Sequence, residues 1–407
     1  MQSQMDGAGS RPLPDVRVID AGTMIACPYA ATLLGDLGAD VIKVESPGGD
    51  DMRHLGQERA GETGSFIGIN RNKRGIVLDL TRPEGREALE RLVKTADILV
   101  TNTREPALSR LGLGYEQVRR HRPDIIWAGV STFGADGPYA GRPGVDALAQ
   151  ALCGIPMLNG TADQPPTRLN IPIADVMSSL LIACGVLAAL HDRQRTGKGQ
   201  KVEVALIDSL VHALGNALGN YFINGWVVPR TGNRSPYFAP SGLYQCADGS
   251  LVFITCPTEK FFRALCSALD TGWAEDPRFS TAALRLENEE ALTAELDALC
   301  RSLPRDDLMA RFVNADVMAS PVNTLPEIVR DPQVLHNDMI APVEHGTLGA
   351  LKVTGVPVRL GRTPGAVRRA PPLLGQHSTE VLAELGYTDL ETAALAKAEV
   401  TFQAGNG

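Results

Sequence analysis

The chain has 407 residues, more than one compact core usually holds, so two domains are expected. It is 44% hydrophobic and 21% charged, an ordinary globular balance, and its net charge of −8 argues against a general nucleic-acid surface. No stretch reaches the roughly 18 apolar residues that a membrane span needs.

Residues 1–14 are polar and carry glycine and proline, without a secretory apolar core, and read as a flexible tail. An apolar run at 16–21 predicts a buried strand, 27–37 a helix with Pro28 in its first turn, and 40–45 a second strand. A third strand is expected at 76–80. Thr81-Arg-Pro-Glu84 then resembles a capping box, with Leu89, Leu92, Val93 and Ala96 on one helix face behind it. Strands follow at 98–101 and 125–130. Such β/α alternation predicts a mostly parallel sheet covered by helices. A long apolar helix follows Asp175, the turn Thr196-Gly-Lys-Gly199 ends it, and a strand returns at 201–204. The first domain is thus expected over 15–224 and a linker over 225–241. A smaller α+β domain over 242–330 begins with a hairpin around 247–249. Residues 331–407 return to the first domain, with β-like text at 348–360 and a terminal helix.

Several chemistries are argued against. The turn after the first strand, Asp20-Ala-Gly-Thr-Met-Ile-Ala-Cys-Pro28, lacks the G-x-G-x-x-G of a dinucleotide site. Gly129-Val-Ser131-Thr-Phe-Gly134 is one residue too long for a nucleophile elbow, leaving Ser131 as a strand-end residue. No two histidines stand four apart, so no metal is expected. The seven cysteines include no C-x-x-C, which suits a reducing cytoplasm. Asn70-Arg-Asn-Lys-Arg74 is a compact basic turn, either a solvated loop or a phosphate contact. The basic residues Arg193, Arg195, Lys198 and Lys201 read as solvated. Asp175 is a single acid before fifteen residues without charge (176–190); it is an N-cap, a ligand-binding group or a reactive one.

Seven segments in order resemble the class III CoA-transferase family (CaiB/BaiF type). They are Leu34-Gly-Asp-Leu-Gly-Ala-Asp-Val-Ile-Lys-Val-Glu45, Asn70-Arg-Asn-Lys-Arg74, Arg142-Pro-Gly-Val-Asp146, Ile173-Ala-Asp175, Arg195-Thr-Gly-Lys-Gly-Gln-Lys-Val-Glu203, Asp331-Pro-Gln-Val-Leu-His-Asn337 and Pro371-Pro-Leu-Leu-Gly-Gln-His377. The resemblance implies a Rossmann-like large domain, a small domain and an interlocked homodimer. It assigns the nucleophile to Asp175 and an accompanying acid to Asp146. It assigns coenzyme A contacts to Met24, Asn70, Lys73, Arg74, Asn102 and Arg110. Coenzyme A enters as part of the substrate, and no tightly bound cofactor, nucleic acid or membrane is implied.

The expected reaction moves CoA from an acyl-CoA to a free carboxylic acid through aspartyl anhydrides and an aspartyl-CoA thioester. At a reference pKa near ~4 the aspartate is expected to be ionised at neutral pH, with N–H groups at its helix start stabilising oxyanions. Gly134–Gly144 is the lid candidate. The chain departs from the formyl-CoA branch at Ile25, where that branch has glutamine, and at Ile254-Thr-Cys-Pro-Thr-Glu259, which lacks its glycines. It departs from the racemase branch at Val145, where that branch has histidine. An α-methylacyl-CoA racemase and a non-catalytic CoA-binding protein stand as rivals. The apolar turn Thr23-Met-Ile-Ala-Cys27 leaves Arg53, Arg59 or Arg168 to meet a second carboxylate, and a small dicarboxylyl-CoA such as succinyl-CoA is the favoured donor.

Overall fold

The computed structural model describes residues 11–404, so the expected tail at 1–14 lies mostly outside the described residues. Six parallel strands form the main sheet: β1 (Arg17–Asp20), β2 (Asp40–Glu45), β3 (Lys73–Val77), β4 (Ile98–Thr101), β5 (Ile126–Ser131) and β6 (Lys201–Ala205). Their order is β3-β2-β1-β4-β5-β6. The central strands are apolar on both faces because helices cover both. On one face α1 (Ala26–Asp36) packs against α5 (Ile173–Thr196). The other face buries Ile19, Ile42, Val44 and Ile76 under α2 (Pro83–Thr95), α3 (Tyr115–His121) and the closing segments Ser378–Glu384 and Asp389–Lys397. The site helices α4 (Asp146–Leu152) and α6 (Leu206–Ala213) both pack on α5.

The chain divides into two compact units. The first runs up to Cys153, resumes over Asn170–Leu214 and resumes again from Gln333. Residues 154–169 and 215–224 therefore group with the second unit, not with the large domain expected over 15–224. The second unit has a three-stranded antiparallel sheet of Ser241–Gln245, Leu251–Thr255 and Ala319–Pro321. Its core is aromatic and aliphatic, with Phe262, Phe279 and Phe312 fully enclosed.

Three local expectations change. The third strand begins at Lys73 rather than 76, because its charged residues are paired inside the fold. Thr81 does not cap α2; its hydroxyl donates to Asp79 at 2.6 Å, and Arg82 takes the N-cap position before Pro83. The β-like text near 348 is the second arm of a hairpin, Ile340–His345 with Gly349–Thr354, whose first arm is interrupted by Pro342 in sequence. One helix, Ile173–Thr196, is long and apolar enough by composition to cross a membrane; here it is the helix α5 laid on the sheet.

Beneath α1 lies a buried ionic lattice. Asp20, Lys43 and Lys73 are fully enclosed, and Asp50 is 1% exposed. Lys73 Nζ meets Asp20 at 2.8 Å and also donates to the Pro28 carbonyl and to Asn70 Oδ1. Lys43 Nζ meets Asp50 at 2.8 Å and donates to the Gly22 carbonyl at 3.0 Å. Burial alone would raise the Asp20 carboxyl, but the two ammoniums outweigh it and hold it below its ordinary range.

The edge strand β3 is closed by residues some 300 positions later. Gly75 N–H donates to His377 Nδ1 and Val77 N–H to the Ser378 hydroxyl, while the Thr401 hydroxyl donates to the Val77 carbonyl. Lys73→Met keeps the volume but removes one cation from Asp20. It is expected to lower unfolding stability by about 3 kcal/mol. Urea denaturation checks this, and an unchanged midpoint would contradict the lattice's role.

Candidate active site

Strand order reverses between β1 and β4, and in parallel sheets ligands bind outside the carboxyl ends of the strands at such a point. The turn leaving β1 is held there from several sides. Asn102, just past β4, accepts from Thr23 N–H at 3.0 Å and donates back to the Thr23 carbonyl at 2.8 Å. Met24 has a left-handed backbone (φ 63°), and its N–H donates to Asp50. With Lys43 on Gly22 and Lys73 on Pro28, the turn is tied to the ionic lattice at both ends. Beside it opens a cleft of about 170 Å³, lined by Thr23, Ser46, Leu78, Leu80, Thr103 and Leu111 among others.

Helix α5 reaches the same end of the sheet. Gly197, in the left-handed conformation, ends it and leads into β6, so its first turn lies towards the strands' carboxyl ends. The Ser179 hydroxyl, one turn in, bridges the Ala26 carbonyl of α1 and the Asp175 carbonyl. Asp175 is therefore close to the start of α1.

Asp175 is not the N-cap. Pro172 occupies that position without a side-chain bond, and Asp175 is the third residue of the helix. The cap comes from α4: Asp146 Oδ2 accepts from Ala174 N–H at 2.7 Å and from Asp175 N–H at 3.4 Å. Among the described residues the Asp175 carboxyl takes no hydrogen bond or ion pair. Burial, reinforced by the Asp146 charge, pushes it up to about 7. This corrects the expectation of an ordinary aspartate, fully ionised at neutral pH.

The expected oxyanion donors are also not at α5. Ile173 N–H donates to the Ile171 carbonyl, Val176 N–H to Pro172, and the two between them to Asp146. At α1 the N–H groups of Ile25, Ala26 and Cys27 have no acceptor among the described residues.

The remaining sequence candidates separate. Met24 and Asn102 stand together at the β1–α1 turn. Arg110 is exposed and lines a different cavity, of about 290 Å³, with residues of α2 and α3. Asn70 and Lys73 are fully enclosed, which corrects the expectation of a basic turn facing a phosphate. Arg74 is committed to Asp40 and Glu384, by the first residue of β2 and so at the amino end of the sheet. Arg53 is likewise spent: it forks onto Glu45 and stacks on Phe66 at 3.6 Å. Arg59 and Arg168 are exposed. Ser131 is a strand-end residue whose hydroxyl accepts from Gly134 N–H. The stretch 134–144 is a loop pinched at its base, where a Cβ on Gly144 would meet Thr132 at 2.4 Å. Sequence reading missed Gln150, fully enclosed and bonded to Asp146. Its spacing of four from Asp146 on one helix was the available signal.

Comparison with known proteins places the fold and the family. The succinyl-CoA–D-citramalate CoA-transferase of Chloroflexus aurantiacus is 37% identical, over 95% of this chain and 97% of that protein. The succinyl-CoA:mesaconate CoA-transferase of Haloarcula marismortui is 35% identical, over 92% and 96%. A CAIB/BAIF family protein from Brucella suis superposes with a TM-score of 0.85 at 34% identity, covering 92% of this chain and all of that one. The profile of CoA-transferase family III matches residues 13–378, and the chain belongs to that family.

Proposed function

We propose that this enzyme moves CoA from a small dicarboxylyl-CoA, with succinyl-CoA favoured, to a free carboxylic acid, and that Asp175 is the nucleophile. The observation that carries the reading is a half-buried carboxyl without a partner, placed at a ligand-binding sheet end beside a second carboxylate. Succinyl-CoA is in the names of both relatives described above, and their acceptors, citramalate and mesaconate, are dicarboxylates.

The Asp175 carboxylate attacks the thioester carbonyl, CoA thiolate leaves, and a mixed anhydride forms. The thiolate attacks the aspartyl carbonyl and releases the donor acid, leaving an aspartyl-CoA thioester. The acceptor carboxylate attacks that thioester, giving a second anhydride and free thiolate. Thiolate attack on the acceptor's carbonyl releases the new thioester and regenerates Asp175. Raised proton affinity makes the carboxylate a stronger nucleophile than an ordinary aspartate. Developing oxyanions are assigned to the open N–H groups of Ile25, Ala26 and Cys27. The cleft beside Thr23 and Thr103 is the proposed seat of the CoA chain, with Asn102 holding Thr23 at its wall. An epimerase needs a second base, and Val145 offers none beside Asp146. Arg59 stays as a candidate for a second substrate carboxylate. The cysteines form no disulfide, in keeping with a proposed cytoplasmic location.

A homodimer is also proposed. Leu148, Leu152 and Leu180 on α4 and α5 are each about half exposed, a surface that a second copy would cover. Sedimentation is expected to give the mass of two chains, and Leu180→Glu to shift it towards one; a monomeric wild type contradicts this.

Hydroxylamine added during turnover is expected to leave a hydroxamate at Asp175, detected by peptide mass spectrometry. Asp175→Ala should lower exchange by at least about a thousandfold. A hydroxamate elsewhere, or none despite turnover, refutes the assignment. Because the carboxylate is the reacting form, kcat/KM should fall as pH drops through about 7. Asp146→Asn keeps an oxygen to cap α5 but removes the charge, so this acid limb should move to lower pH. A limb that stays in place would show that Asp146 does not act on the nucleophile.

A further inference from the structure

We propose that Gln150 is a positioning residue for the transfer reaction: its side-chain amide locks the Asp146 carboxylate against the first turn of α5, at the side of Asp175. The proposal rests on the reading of Asp175 as nucleophile. Gln150 is fully enclosed, one turn after Asp146 on α4. Its Nε2 donates to Asp146 Oδ1 at 2.6 Å and to the Ile171 carbonyl at 3.3 Å. Ile171 immediately precedes the N-cap of α5. The other oxygen of Asp146 receives the Ala174 and Asp175 N–H groups. The carboxylate is thus held from both sides, one oxygen by α4 and one by α5. One amide spans the joint between the two helices.

The choice of an amide has a chemical meaning. A lysine or arginine at 150 would neutralise Asp146 and cancel its repulsion of Asp175. A glutamine fixes the same geometry and leaves the negative charge standing. The elements packed on α5 carry other titratable groups. They are Cys27, Tyr29 and Asp36 on α1, Lys201 and Glu203 on β6, and Asp208 and His212 on α6. Asp146 is the charge among them that acts on Asp175. Holding that one carboxylate in place therefore holds the proton affinity of the nucleophile.

Gln150→Met keeps the length of the side chain and removes the donor. Its kcat/KM at pH 8 is expected to fall about tenfold, the scale of a coupled neighbour. The acid limb of its pH profile should move to lower pH, as Asp146 swings from Asp175. In an Asp146→Asn background the same substitution should produce no further movement of the limb. The proposal is overturned if the limb of Gln150→Met stays at the wild-type pH, or if it moves equally in both backgrounds. Should Gln150→Met not fold, Gln150→Asn, too short to reach both acceptors, gives the same reading. Hydroxylamine trapping in the wild type decides the nucleophile separately. A hydroxamate away from Asp175 sinks that reading, whereas trapping at Asp175 with an unmoved limb sinks only the role of Gln150.

Discussion

Two lysine ammoniums enclosed with two aspartates determine the shape of the β1–α1 turn at the carboxyl end of this sheet. Lys43 and Lys73 arise on adjacent strands, point to the same side and meet Asp20 and Asp50 away from water. Desolvating such groups is costly, and replacement by apolar residues often stabilises a fold. Their value here is geometric. Lys43 also grips the Gly22 carbonyl of the β1–α1 turn, Lys73 the Pro28 carbonyl in the first turn of α1, and Asp50 the Met24 N–H. A glycine-poor turn with a left-handed methionine is thereby fixed in one form, and its free N–H groups keep one direction.

The second constraint is a division of labour between two aspartates. Either could have capped α5, and the one outside the helix does so. Asp146 satisfies the helix start, which leaves Asp175 with its oxygens unengaged and a negative neighbour. A carboxyl in that position holds its proton more tightly than an exposed one. The cost is carried by the fold, because a half-buried charge without a partner stabilises nothing. Active sites commonly contain such local sacrifices.

Much of the sheet was legible in sequence because parallel strands are short apolar runs set between amphipathic helices. The strands at 40–45 and 98–101 match their expected limits. The start of β3 was not legible: Arg71, Lys73 and Arg74 look like a solvated turn until their carboxylates, supplied by Asp36, Asp20 and Asp40, are seen in space. The same blindness affected the site. Asp175 stood out as the lone acid before fifteen uncharged residues. That Asp146 caps it, that Gln150 holds Asp146, and that the helix start has no N–H to spare all depend on contacts between helices. Sequence spacing carries the intrahelical pair 146–150 and nothing of the others.

The closure of β3 has a consequence for how the polypeptide is made. The edge strand forms early in synthesis, yet the groups that cover it are His377, Ser378 and Thr401. While the ribosome is still translating, that edge presents open main-chain donors and acceptors, a template for wrong pairing. The large unit therefore completes its main sheet only once residues 377–401 have emerged from the ribosome. Loss of residues 377–401 would leave β3 with an adhesive flank although every strand of the main sheet had been made.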